Sequence, residues 1–112
     1  MYILIKNDVC PNLKSDIAKL IDNKSVRTWK FVKEDNKNRL MHTGDEQYKD
    51  VVLRFINTFI EGEKYYRIVP HPVENCPDEE TAQSHFGIVL GRFAEMLNIH
   101  FPHIEYYETF LK

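Results

Sequence analysis

Hydrophobic positions along the chain fall into runs whose period changes, and each change predicts an element. Tyr2 to Lys6 reads as a short first strand. Asp8-Val9-Cys10-Pro11-Asn12 follows, and proline is favoured at a first helical position, where its missing N–H would have no partner anyway. A helix is predicted from there to about Asp22, with Leu13, Ile17, Leu20 and Ile21 on one stripe. Val26 to Lys33 is rich in β-branched and aromatic residues and reads as a strand. Trp29 and Phe31 point to one of its faces, and Thr28, Lys30 and Val32 to the other. The polar run 34–38 is a turn, and Arg39 to Thr43 is the return strand of a hairpin.

Beyond Gly44-Asp45 the period lengthens. Tyr48, Val51, Val52, Phe55, Ile56, Phe59 and Ile60 fit three turns of a second helix, capped by Asp45 and stopped at Gly62. Lys64 to Val69 is a strand, and Pro70-His71-Pro72 continues it as an extended segment that cannot join a ladder through its proline nitrogens. Asn75-Cys76-Pro77-Asp78-Glu79-Glu80 starts a third helix, with carboxylates where the helix dipole favours them. Its stripe runs through Ala82, Phe86, Val89, Leu90, Phe93, Met96 and Leu97, and Asn98 ends it. Gly87 and Gly91 flatten one side of this helix. A helical glycine costs about 1 kcal/mol relative to alanine, so close packing, including packing in a homodimer, is expected there. Ile104 to Phe110 reads as a final strand.

This order predicts an α+β fold. Its first six elements match a ferredoxin-like split β-α-β-β-α-β sandwich, with an additional long C-terminal helix and a final strand, in a single domain over residues 1–112.

Composition narrows the class. With 43% hydrophobic and 29% charged residues, the 112-residue chain is ordinary for a globular domain. A formal charge of −2 excludes both a histone-like tail and an acidic disordered chain. The N-terminus has no basic leader, and no run approaches the roughly 20 apolar residues of a membrane helix, so a cytoplasmic protein is expected. Cys10 and Cys76 fit no CxxC motif and are expected as free thiols.

Charge is unevenly spread. Residues 1–40 carry nine Lys/Arg and five Asp/Glu, a net of +4, while residues 41–112 carry six and twelve, a net of −6. Arg27, Trp29, Lys30, Lys33, Lys37 and Arg39 fall on the predicted hairpin. Cations interleaved with rings suit single-stranded nucleic acid, although the basic–Gly–aromatic signature of RNA-recognition modules is absent. Trp29 and Phe31 also read as core residues of a half-buried strand. Tyr65-Tyr66 and Tyr106-Tyr107 each put one ring on either face of a strand, and Glu74, Asp78, Glu79 and Glu80 lie near the first pair in sequence. Together these eight residues form a candidate partner-binding surface.

Cys10, at a helix start, has the geometry of a thiolate nucleophile, but no second cysteine or phosphate-loop arginine follows it. His71 is rigidly held between two prolines and could serve as a base, without an evident partner. His100 and His103 are too closely spaced across Pro102 for a zinc pair of the H-x3-5-H type. No nucleotide-binding or nucleophile-elbow motif is present, and neither cofactor nor metal is expected. The expectation is a small protein-binding module of the inhibitor, immunity or regulatory type, with single-stranded nucleic-acid binding as the alternative and a thiol- or histidine-dependent enzyme as the second alternative.

Overall fold

The structure is a computed structural model that describes residues 1–109. Its elements are β1 (Tyr2–Lys6), α1 (Leu13–Asp22), β2 (Trp29–Glu34), β3 (Lys37–His42), β4 (Val51–Ile60), β5 (Glu63–Pro72), α2 (Glu79–Ser84), α3 (Phe86–His100) and β6 (Tyr106–Thr109). Short 3-10 turns occupy Asn7–Val9 and Glu46–Tyr48. The strands form one six-stranded sheet in the order β2-β3-β4-β5-β1-β6, and every neighbouring pair is antiparallel. The α+β class is as expected. The final strand is present as β6, and Phe110, its last expected residue, lies outside the described residues.

The main departure is the expected helix over 45–60. Asp45 does cap a turn, accepting from the Gln47 N–H at 3.2 Å, but that turn is a single 3-10 one. The chain then runs as a ten-residue strand paired with β5 along its whole length. Val51, Val52, Ile56, Thr58 and Ile60 are β-branched and lose side-chain freedom in a helix, whereas a pleated strand accommodates them. Gly62 is the second residue of a two-residue hairpin loop rather than a helix stop. Glu61 and Gly62 both have positive φ, at 50° and 81°, as a type I′ turn requires. With this helix replaced by a strand, the sheet order departs from the split β-α-β-β-α-β plan.

The strand expected to end at Val69 runs on through the extended Pro70-His71-Pro72 segment. Pro70 and Pro72 sit inside β5, opposite Leu53 and Val51. β1 pairs with β5 only as far as Ile68, so among the described residues this end of β5 has no paired strand on its other edge. A ring nitrogen that cannot donate is tolerated on such an edge. The third helix is divided at His85 into α2 and α3. Asp78 caps α2 by accepting from the Thr81 N–H at 3.1 Å.

All three helices bury their apolar stripes on one face of the sheet. Leu13 and Ile17 of α1, Ala82 of α2, and Val89, Leu90, Phe93 and Leu97 of α3 join Ile3, Ile5, Leu40, Leu53 and Ile68 in one core. Phe93 lies at its centre, with its ring edge-on to Trp29 and Phe55 at 6.0 Å from each. The side near Gly91 is open: a Cβ there would meet nothing within 4 Å, and one at Gly87 would meet only Met1, at 3.9 Å. Among the described residues no element packs closely on that side, contrary to expectation.

Candidate functional site

Strand alternation puts every second side chain of the sheet on the face opposite the core. Val32, Met41, Val52, Ile56, Val69 and Leu4 lie there, outside the core cluster on the other side, although Val52 is itself fully buried. Among the described residues no helix lies on this face. It is not fully open at one end, where the loop after β5 meets the hairpin tip: buried Glu34 accepts from the Glu74 N–H at 2.7 Å.

The same face collects cations from separate parts of the chain. Arg39 of β3, Arg54 of β4 and Arg67 of β5 occupy three adjacent strands, and each is half-buried. Long arginine stems cover apolar sheet surface while the guanidinium heads stay near water. Among the described residues none of the three pairs with a carboxylate, and the Nε of each is buried without a hydrogen-bond partner. Lys30 and Lys37 add exposed amines to this face, and Lys6 stands at its far corner, 3.3 Å from Glu63.

Three tyrosines stand beside these cations. Tyr2 is on β1, Tyr65 on β5 and Tyr107 on β6, on neighbouring strands and on this same face. Tyr107 is 65% exposed. The Arg67 guanidinium lies over the Tyr2 ring, 5.6 Å from its centroid.

The residues expected to form an acidic and aromatic surface do not come together. Tyr65 lies near the start of β5 and Glu74 just past its end, and ten strand residues span roughly 30 Å. Asp78, Glu79 and Glu80 are exposed at the Glu74 end, on α2 and its cap. Tyr66 faces the core, 9% exposed, and donates its hydroxyl to the Pro11 carbonyl at 2.6 Å. Tyr106 points to the helix side and donates to Asn98 Oδ1 at 3.0 Å.

The basic hairpin is divided between the two faces. Lys30, Lys37 and Arg39 lie on the helix-free face, whereas Trp29 and Lys33 lie on the other. Trp29 is only 3% exposed, so it offers no stacking surface. Arg27 lies outside the strand and donates to the Lys24 carbonyl at 3.1 Å. Sequence reasoning missed Arg54, Arg67 and Tyr2. The signal for Arg54 was its alternation with Leu53 and Phe55, which appears once 51–60 is taken as a strand.

Cys10 is buried, and α1 begins only at Leu13, with Asn12 in the capping position. Burial, aided by Asp16 and Asp8, pushes its thiol up to about 11, the opposite of what a thiolate nucleophile needs. His71 is exposed and bonded only to the Pro72 carbonyl, at 2.8 Å. His85 has more partners: its Nδ1 lies 3.0 Å from both Asp50 oxygens, and its ring stands edge-on to Tyr48 at 5.1 Å. This pair ties the α2–α3 break to the start of β4. Among the described residues no group of three or more His, Cys, Asp or Glu could hold a metal ion. No helix among them is long and apolar enough to cross a membrane.

Compared with protein-family models, with curated proteins and with solved structures, the chain matches none.

Proposed function

We propose that the chain is a binding module that holds single-stranded nucleic acid on the helix-free face of its sheet. The observation that carries this reading is the set Arg39, Arg54 and Arg67, on three adjacent strands and without carboxylate partners among the described residues. Their Nε atoms are buried without partners, and a buried polar group calls for a hydrogen-bond acceptor, so a row of three favours an anionic ligand. Tyr2, Tyr65 and Tyr107 supply rings beside that row, and bases stack on exposed rings with little regard to sequence. The formal charge of −2 is no obstacle, because the acids Glu74, Asp78, Glu79 and Glu80 gather at one end of the molecule, where Glu74 and Glu79 border a hollow shared with Arg54 but make no ion pair with it among the described residues. A cytoplasmic setting belongs to this reading, supported by two cysteines that stand unpaired.

Fluorescence anisotropy with a short labelled single strand of mixed sequence tests it. Binding at low salt is expected, weakening linearly on a log–log plot as salt rises. The absence of any signal at low salt overturns the reading.

A protein-binding role through the acidic corner is the second reading. It draws on the exposure of Glu74, Asp78, Glu79 and Glu80 at one end of the molecule. It calls for a basic protein partner whose binding is lost when those four carboxylates are changed to amides.

A further inference from the structure

β3 and β4 are registered at a single pair, Leu40 with Leu53. Continuing that register by one residue sets Arg39 beside Arg54, but the ladder does not run on through them. The sheet is therefore split between the tip of the β2–β3 hairpin and the middle of β4, and a hollow of about 650 Å³ occupies the split. Such a volume is typical of ligand sites.

Three elements deliver cations to this notch: Lys14 from α1, Lys37 and Arg39 from β3, and Arg54 from β4. Asn36, Asn38 and Asn57 also line it, and among the described residues no acidic residue does. The hairpin acids Glu34 and Asp35 border a separate hollow, which shares only Arg54 with this one. Lys14 is held in position: its Nζ donates to the Asn38 carbonyl at 3.1 Å and lies 5.6 Å from the Phe55 ring centroid. Burial lowers the pKa of this amine, and nearby Arg39 lowers it further, as expected where cations crowd without a counter-charge.

We infer that this notch is a phosphate-binding subsite, in which Lys14, Lys37, Arg39 and Arg54 grip one phosphodiester of a strand lying on the helix-free face. The inference rests on the nucleic-acid reading of that face. Its ligand chemistry, a tetrahedral phosphoryl oxyanion, is shared by a free polyphosphate. Arg39 and Arg54 offer planar forks to the phosphoryl oxygens, while Lys14 and Lys37 act as point charges.

The test uses Lys14→Gln for the notch and Arg67→Gln for the rest of the face, with circular dichroism to check that both variants fold. Salt dependence of binding to a labelled single strand is measured for each, and inorganic tripolyphosphate is titrated into the wild-type protein by amide NMR. The expected result is that Lys14→Gln weakens strand binding and flattens the log–log salt slope, by at most about 0.7, the value for one whole phosphate contact. Tripolyphosphate should shift the amides of residues 36–39 and 54–57. If the wild type binds the strand and Arg67→Gln weakens it, but Lys14→Gln changes neither affinity nor slope, the notch assignment is overturned and the face reading stands. If no strand binds yet tripolyphosphate shifts those amides, the face reading fails and the notch stands as a free-phosphate site. If neither ligand has an effect, both are overturned. Should Lys14→Gln not fold, the tripolyphosphate shifts in the wild type decide the notch.

Discussion

Trp29 and His42 face each other across the β2–β3 hairpin, with their rings edge-on and centroids 4.9 Å apart. His42 is buried, and its Nδ1 has no hydrogen-bond partner among the described residues. Burial, and to a lesser degree Arg92, holds its pKa below the ordinary 6.5, while Asp45 and Glu95 pull weakly the other way. A group with a lowered folded-state pKa takes up its proton in the unfolded chain first as acid is added. Stability is then fully present above about pH 6.5 and declines as pH falls toward the folded-state value. Thermal unfolding followed from pH 7.5 to pH 5 should show this loss, and His42→Phe should remove the His42 share of it. An unchanged pH slope in the variant would mean that His42 is not the titrating group.

How much of this was legible in the sequence depends on whether local pattern or long-range pairing decides the residue. α1 was legible because Leu13, Ile17, Leu20 and Ile21 fit only a helical period. The β2–β3 hairpin was legible because its polar turn separates two β-rich runs, and the loop is Asp35-Asn36, both at positive φ. The segment 51–60 was not, because its apolar residues satisfy a helical stripe and a buried strand equally well. The β-branched residues and the Glu61-Gly62 turn before a second β-rich run would have settled it. Misplacing that strand hid Arg54, and with it the cation row. The notch was out of reach for a different reason: Lys14 and Arg54 are 40 positions apart and meet only through packing of α1 beside the split sheet.

Gly62 offers a clean measure of the β4–β5 turn. Its φ is 81°, and a Cβ added there would meet nothing within 4 Å. Gly62→Ala therefore costs conformational energy alone, about 1 kcal/mol or somewhat more. Urea unfolding should show a lower midpoint with an unchanged m-value. A neutral result would show that the loop relaxes out of the left-handed region.

The two cysteines should differ sharply in reactivity. Cys10 is buried and its thiol is raised to about 11, whereas Cys76 is half-buried. With iodoacetamide at pH 7.5, mass spectrometry should find Cys76 modified first, and Cys10 only on a timescale set by opening of the fold. Rapid labelling of Cys10 in the folded protein would contradict the burial that raises its pKa.

Tyr66 ties β5 to the segment before α1 through its 2.6 Å bond to the Pro11 carbonyl. Tyr66→Phe keeps the ring in the core and removes only the hydroxyl. Pro11 is exposed, so water can reach the vacated carbonyl, and the loss should stay near 0.5–1.5 kcal/mol. A much larger loss in chemical unfolding would imply that the bond organises the start of α1 as well as closing it onto the sheet.

Phe93 tests whether the single core holds sheet and helices together as one unit. It is fully buried and stands edge-on to both Trp29 and Phe55, so it bridges α3 to strands on either side of the β3–β4 split. Phe93→Ala removes those ring contacts and leaves a cavity, costing about 3–5 kcal/mol. Because Trp29 is the chain's one tryptophan, its emission reports on the same cavity. The variant should unfold at lower denaturant, and its native emission should move to longer wavelength if water enters beside the indole. If stability falls while emission stays put, the cavity is dry and Trp29 keeps its packing against His42. If stability is nearly unchanged, α3 is not anchored to the sheet through Phe93, and the single-core account of the fold fails.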